Sequence, residues 1–378
     1  MNEKGVTTIT LKKINKSKVY HYIYKQRITA KLQIVRDLQM GLSTVSQNLN
    51  VLEQEGLIER KGFFDSTGGR KAQAIQIVAD AKISIGAGIL KNMFHIASVN
   101  LYGEAVNMET FNVPYSSDPG YYDQVTDKIE QFISENHYTK DRILGISIAT
   151  QGIISTDGAT VTYGAIMDNS DMKLTDFSSR LSYPCRLEHD SKAAAFLELW
   201  NHNEFDNAMV FLLNRNLGGA VITNHCVQKG MSMHSGAIEH MCIDPDGPLC
   251  YCGNRGCLET YCSVNALEAA AGMPVKEFFT LLREDNDGGM QQIWEGYLQY
   301  LAFAIRNLNL VIDGPIIISG YLAPYFTEED LEYLLERINS STPFKLERRH
   351  LIVGMQGQYT PAGGSALYYV EQFMESIS

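Results

Sequence analysis

The chain has 378 residues, 45% apolar and 20% charged, enough to bury a sizeable core in two or three domains. It holds no run of about 18 apolar residues, and its polar start, MNEKGVTTITLKK, lacks a signal-peptide core. That argues against a helical membrane span and predicts a cytoplasmic protein with reduced thiols. The net charge of −11 hides an asymmetry, because residues 1–75 carry thirteen Lys and Arg against six Asp and Glu. The remainder carries nineteen against thirty-seven, so a basic head of +7 precedes an acidic body of −18, and the head is the part expected to meet a polyanion.

The head, residues 1–78, shows helical spacing in three blocks. Val19 and Ile23 are apolar at i and i+4, and Leu32, Val35 and Leu38 form a second stripe. After Gly41, Val45, Leu49 and Leu52 share one face of a third helix. Ser43 or Thr44 is expected to cap that helix, with Thr44 and Gln47 as a reciprocal capping box, and Gly56 to close it. Its outer face offers Ser43, Thr44, Ser46, Gln47 and Asn48, short hydrogen-bonding groups suited to base edges and phosphates. Two β-like runs follow around a basic turn, Gly68-Gly69-Arg70-Lys71, with Lys61 on the first run. Helix, short helix, turn, recognition helix and basic hairpin is the order of a winged helix-turn-helix that binds double-stranded DNA.

From residue 79 to 378 strands and helices alternate, which predicts an α/β body in two lobes with a ligand cleft between them. Near its middle His240 precedes Cys250, Cys252 and Cys257. Three thiolates and an imidazole close a tetrahedral zinc shell with no open position, the pattern of a structural site within a loop at 240–259. Cys250 and Cys252 have one residue between them, where a redox pair would have two. Cys242 and Cys262 are rival ligands by proximity, while Cys185 and Cys226 read as inert core thiols.

The stretch GAIEHMCIDPDGPLCYCGNRGCLE resembles the signature of the ROK family, which contains sugar kinases and sugar-responsive repressors. LEHDSKAAA at 187–195 resembles the family's Glu-Asn-Asp-Ala motif, and the STGGRK wing is similar to that of the family's repressors. The resemblance implies an N-terminal winged helix-turn-helix followed by an actin-like, two-lobed domain, assembled as a homodimer or tetramer. It also implies a sugar site, carried over as His189, Asp190, His240 and Glu259, with Ala237 where the family has its first Glu; Glu239, at a position that is Gly in the family, is the sugar contact expected to compensate through a shifted loop, the other reading being that it points to solvent. Asp190 is open to a second reading, as a cap of the helix that follows.

Phosphoryl transfer needs a cradle for phosphates. The family's first phosphate turn, Asp-x-Gly-Gly-Thr, corresponds here to Gly88 through Asn92, with Leu90, Lys91 and Asn92 in place of its Gly-Gly-Thr. The second turn has Asn214, Arg215 and Asn216 in place of Gly-Thr-Gly. Bulky residues at both turns favour a DNA-binding, sugar-modulated regulator, with repression of carbohydrate uptake or catabolism genes the mode the resemblance implies, over the alternative of an ATP-dependent sugar kinase or a regulator that has lost its sugar.

Overall fold

The computed structural model describes residues 8–64, 71–285, 288–354 and 357–377. The head comprises α1 (Thr8–Gln26), β1 (Ile28–Ala30), α2 (Lys31–Asp37), α3 (Leu42–Gln54), β2 (Ile58–Phe63) and β3 (Gln73–Ile77). Its strands pair antiparallel in the order β1-β3-β2. Val19 and Ile23 of α1, Ile34 of α2, and Val45, Leu49 and Leu52 of α3 meet in one core, each at most 1% exposed. Two local expectations need correction. Because α2 starts at Lys31, its inner stripe is Ile34, Val35 and Leu38, and Leu32 faces out. Because α3 starts at Leu42 with Gly41 as its N-cap, Ser43 and Thr44 fall inside the first turn, and no side chain caps the helix. Gly56 does end it, at a φ of 69° that favours glycine.

The body repeats one sheet plan in two lobes. The first lobe contains β4 (Ile83–Ile89), β5 (Phe94–Val99), β6 (Ala105–Phe111), α4 (Pro119–Glu135), β7 (Ile143–Thr150), the short pair β8 (Ile153–Ile154) and β9 (Val161–Tyr163), α5 (Thr175–Ser178) and β10 (Cys185–His189). Its sheet runs β10-β7-β4-β5-β6, an antiparallel meander continued by two parallel strands. The helix α6 (Asp190–Asn201) then leads to β11 (Ala208–Leu213), β12 (Leu217–Thr223) and β13 (Cys226–Val227). After a long loop come α7 (Glu259–Cys262), α8 (Val264–Ala271), α9 (Val275–Thr280), α10 (Gly288–Asn309), β14 (Ile316–Ser319), α11 (Glu328–Ser340) and β15 (Leu351–Val353). This second sheet runs β13-β12-β11-β14-β15, again a meander followed by two parallel strands.

The last helix, α12 (Thr360–Ser376), returns to the first lobe and lies along α6. The approach needs glycine: a Cβ on Gly364 would stand 1.8 Å from the Ala193 carbonyl oxygen. Leu197 of α6 and Leu367, Val370 and Met374 of α12 join the core of the head. Head and body are therefore packed into one another rather than strung on a linker. Cys185 is half-buried in β10, but Cys226 is exposed on the edge strand β13, so it is not a core thiol.

Candidate ligand cleft and metal centre

His240 Nδ1 lies 3.9 Å from Cys250 Sγ, and Cys252 Sγ lies 3.7 Å from Cys257 Sγ. The four donor atoms are all within 4.8 Å of one another. A tetrahedral zinc with bonds of about 2.3 Å to sulfur and about 2.0 Å to nitrogen needs edges of about 3.5–3.8 Å, so both the donor set and the spacing fit. The loop is preformed by its own backbone: the Cys250 N–H donates to Asn254 O at 2.8 Å and the Gly253 N–H to Cys250 O at 2.9 Å. Gly256, at φ 65°, admits no Cβ, which would fall 1.5 Å from Asp244 O. Neither rival thiol is in the cluster. Cys242 is exposed, and Cys262 is wholly buried in the apolar core of the second lobe.

Beside this cluster, a cavity of about 510 Å³ opens between the lobes. Gly152, Ile153, Tyr163 and Ile166 wall it on one side, and Ala237, Glu239, His240 and Tyr251 on the other. His189 and Lys192, at the head of α6, stand where the two sides meet. Two buried polar atoms here have no hydrogen-bond partner: His189 Nδ1 and Glu239 Oε2. Such atoms carry an unrelieved desolvation cost that a hydroxyl-bearing ligand or water can remove. Burial pushes the Glu239 carboxyl up to about 8 and the Lys192 ammonium down to about 8. Lys192 Nζ donates to the Ser235 carbonyl, joining α6 to the opposite wall. Tyr251 Oη stands 3.5 Å from His240 Nε2, which gives the imidazole one edge toward the metal donors and one toward the cleft.

Two expected sugar contacts are placed otherwise. Glu259 accepts from Asn216 Nδ2 at 2.8 Å and from the Leu217 N–H at 2.6 Å, so its carboxylate is committed to the β11–β12 turn and does not line the cavity. Asp190 Oδ1 accepts from the Ser191 N–H at 2.6 Å and stays behind His189. Asp190 is the first residue of α6, with His189 as the N-cap, so its carboxylate bonds the first turn from inside the helix. Lys192, Tyr163 and Tyr251 were not singled out from the sequence. The usable signal for Tyr251 was its place between two metal-ligating cysteines, which ties an aromatic ring to the imidazole.

On the other side of the cleft, the β11–β12 turn spends its polar groups on neighbouring protein groups. At the β11–β12 turn Asn214 Oδ1 accepts from the Tyr321 N–H at 2.7 Å, Arg215 pairs with Glu268 at 3.1 Å, and Asn216 is held by Glu259. The Leu217 N–H, a group a phosphate would seek, already serves Glu259. The β4–β5 turn is a tight hairpin in which the Leu90 N–H donates to Met93 O at 2.9 Å, with Lys91 and Asn92 exposed.

On the head, Ser43, Gln47, Lys61 and Lys71 are exposed and Thr44 is half-buried. Ser46 and Asn48 donate to carbonyls of their own helix, Leu42 O and Thr44 O, each at 2.8 Å. Arg70 lies outside the described residues.

The sequence pattern of the ROK family matches residues 81–351, and the chain belongs to that family. Over nearly its full length it is 25% identical to the xylose repressor of Bacillus subtilis, covering 97% of this chain and 98% of that protein. It is also 25% identical to the DNA-binding transcriptional dual regulator NagC of Escherichia coli, over 68% of this chain and 64% of NagC. Among solved structures, a ROK family transcriptional regulator described as a homologue of the E. coli MLC protein superposes with a TM-score of 0.71, at 20% identity, over 97% of this chain and 99% of that one. A ROK family glucokinase from Streptomyces griseus, solved with glucose and AMPPNP, superposes with a TM-score of 0.63, at 19% identity, over 75% of this chain and 98% of its own. The body thus has the mixed α/β, actin-like fold of the family. Among the described residues no helix is long and apolar enough to cross a membrane.

Proposed function

We propose that this protein is a sugar-responsive transcriptional repressor: its head grips double-stranded operator DNA, and a sugar bound between the lobes modulates that grip. One observation carries the reading: a basic head shares its core with a body that keeps an open ligand cavity while the β11–β12 turn is paired internally. The coverage of relatives agrees, since the regulator-like structure spans head and body whereas the glucokinase matches three quarters of the chain. In this reading the head is a winged helix-turn-helix with α2 and α3 as its helical pair and β2–β3 as its wing. Gln47 and Ser43 reach base edges; Lys61 and Lys71 reach phosphates. Ser46 and Asn48, tied to their own helix, read DNA only by exchanging those bonds.

His240, Cys250, Cys252 and Cys257 would hold a structural zinc, which supplies rigidity and no reaction chemistry. The residues do the sensing. His189 Nδ1 and Glu239 Oε2 accept from ligand hydroxyls, the His240 edge facing the cavity adds a further contact, and Tyr163 and Tyr251 cover the ligand's apolar face. A homodimer or tetramer places two heads on two half-sites. The kinase reading is disfavoured because Asn214, Arg215, Asn216 and the Leu217 N–H of the β11–β12 turn are already paired with other protein groups. A mobility-shift titration with the DNA flanking the gene tests the proposal. Binding is expected at low salt, with Gln47→Ala losing about 1–3 kcal/mol on the specific site and little on random duplex. Absence of binding to any duplex, or turnover of ATP on a sugar, would overturn it.

A further inference from the structure

Three cavities follow α6 from end to end. Lys192 lines both the ligand cleft and a second cavity of about 270 Å³ behind it. Phe196, Leu199, His225 and Glu371 line that cavity and also a third, of about 380 Å³, which reaches His21 and Tyr24 of α1. Along these open grooves α6 makes fewer packing contacts than on its buried face, so that flank is the one along which it can shift.

Its far end is tied to the head through a short relay. Trp200 Nε1 donates to Tyr102 O at 2.9 Å. The Arg27 guanidinium lies over the Tyr102 ring at 3.6 Å, and the Tyr24 ring stands 4.8 Å from it. Gly103, at φ 79°, leaves no room for a Cβ, which would meet Trp200 Nε1 at 2.5 Å. The β5–β6 turn is therefore fitted to the indole on one side and carries the end of α1 on the other. Among the described residues, Leu258 and Cys262 beside the metal loop belong to a core of second-lobe residues, whereas Leu197 of α6 shares the core of the head.

We infer that α6 is the lever that couples cleft to head, with Lys192 as its input, clasped to the Ser235 carbonyl across the cleft, and the Trp200–Tyr102–Arg27 relay as its output. The functional meaning rests on the regulator reading above, but the mechanical claim does not. A ligand that engages Lys192 or loosens its clasp shifts α6 along its open flank, and Trp200 carries that shift to Tyr102 and so to α1. This is an element both sites can bias, which is what coupling requires.

Hydrogen exchange on the full chain tests it without any ligand or DNA. Lys192→Met keeps the stem and removes the clasp. It is expected to change amide exchange in residues 193–201 and, by about fivefold or more, in residues 19–27. In a Tyr102→Leu background the response of residues 193–201 persists while that of residues 19–27 falls within about twofold. An α1 segment that ignores Lys192→Met, or responds equally in both backgrounds, overturns the inference. If Lys192→Met does not fold, Lys192→Gln is read by the same criteria. Because neither sugar nor operator is present, failure of the regulator reading leaves this result standing, and the reverse.

Discussion

The two sides of the cleft, set between lobes that share one sheet plan, treat their polar groups in opposite ways. On the sugar side the cavity is open, and His189 Nδ1 and Glu239 Oε2 are left without partners. On the phosphate side, Asn214, Arg215, Asn216 and the Leu217 N–H are all engaged by neighbouring protein groups. A binding site keeps unsatisfied polar atoms for its ligand; a site turned into scaffold satisfies them internally. One side of the cleft leaves polar atoms free for a ligand, and the other is braced by its own contacts.

The largest effect expected is on the wall of the open half. Replacing Cys257 by Ser breaks a four-donor set, and structural zinc of this type contributes on the order of 10 kcal/mol to its fold. Metal analysis should fall from about one ion per chain to near none, with residues 240–259 becoming sensitive to proteolysis while the head stays resistant. Unchanged metal content would remove zinc from the open half and with it the reason His240 and Tyr251 hold their places.

A smaller effect is expected beside the closed half. His95, buried on β5 next to the β4–β5 hairpin, bonds Thr110 Oγ1 at 2.8 Å and packs its ring edge on Tyr359. Burial lowers its pKa from 6.5 to about 4. The unfolded chain therefore binds the proton first as pH falls, so stability is complete above pH 6.5 and is lost toward pH 4, by up to about 3 kcal/mol. Urea unfolding between those limits should show the slope, and His95→Gln should flatten it. An equal slope in the variant would assign the acid sensitivity elsewhere.

Legibility in the sequence followed locality. The metal ligands span eighteen residues, and their spacing alone suggests the tetrahedral set. The head showed itself through charge and 3.6-residue spacing, although α3 began earlier than Ser43 and Thr44 implied and α2 turned Ile34 rather than Leu32 inward. What the sequence hid depends on distant partners. Thr360-Pro361-Ala362-Gly363-Gly364 reads as a turn, yet it opens α12, because the second glycine yields to the Ala193 carbonyl. Lys192 reads as a solvated lysine but is buried, its ammonium fixed by a carbonyl forty-three residues on. Glu259 matched a sugar-contacting position; only the fold sets it against the β11–β12 turn.

The smallest effect is the sharpest test of the comparison, because a polar residue from each side, Asn214 and Glu239, should respond with opposite signs. Asn214→Ala leaves the Tyr321 N–H without its acceptor and should cost about 1–3 kcal/mol of stability. Glu239→Gln keeps the shape but removes a buried carboxyl whose Oε2 has no partner, so stability should be unchanged or higher by about 1 kcal/mol or less. Sugar binding by calorimetry should invert the order, with Asn214→Ala within about twofold of the parent and Glu239→Gln weaker by about 1–3 kcal/mol, the cost of leaving a buried hydrogen-bonding group mismatched. Chemical unfolding and calorimetry on the same two variants give both readings. If Glu239→Gln destabilises the chain as Asn214→Ala does, Glu239 belongs to the brace, and the division of the cleft into two halves fails at that residue.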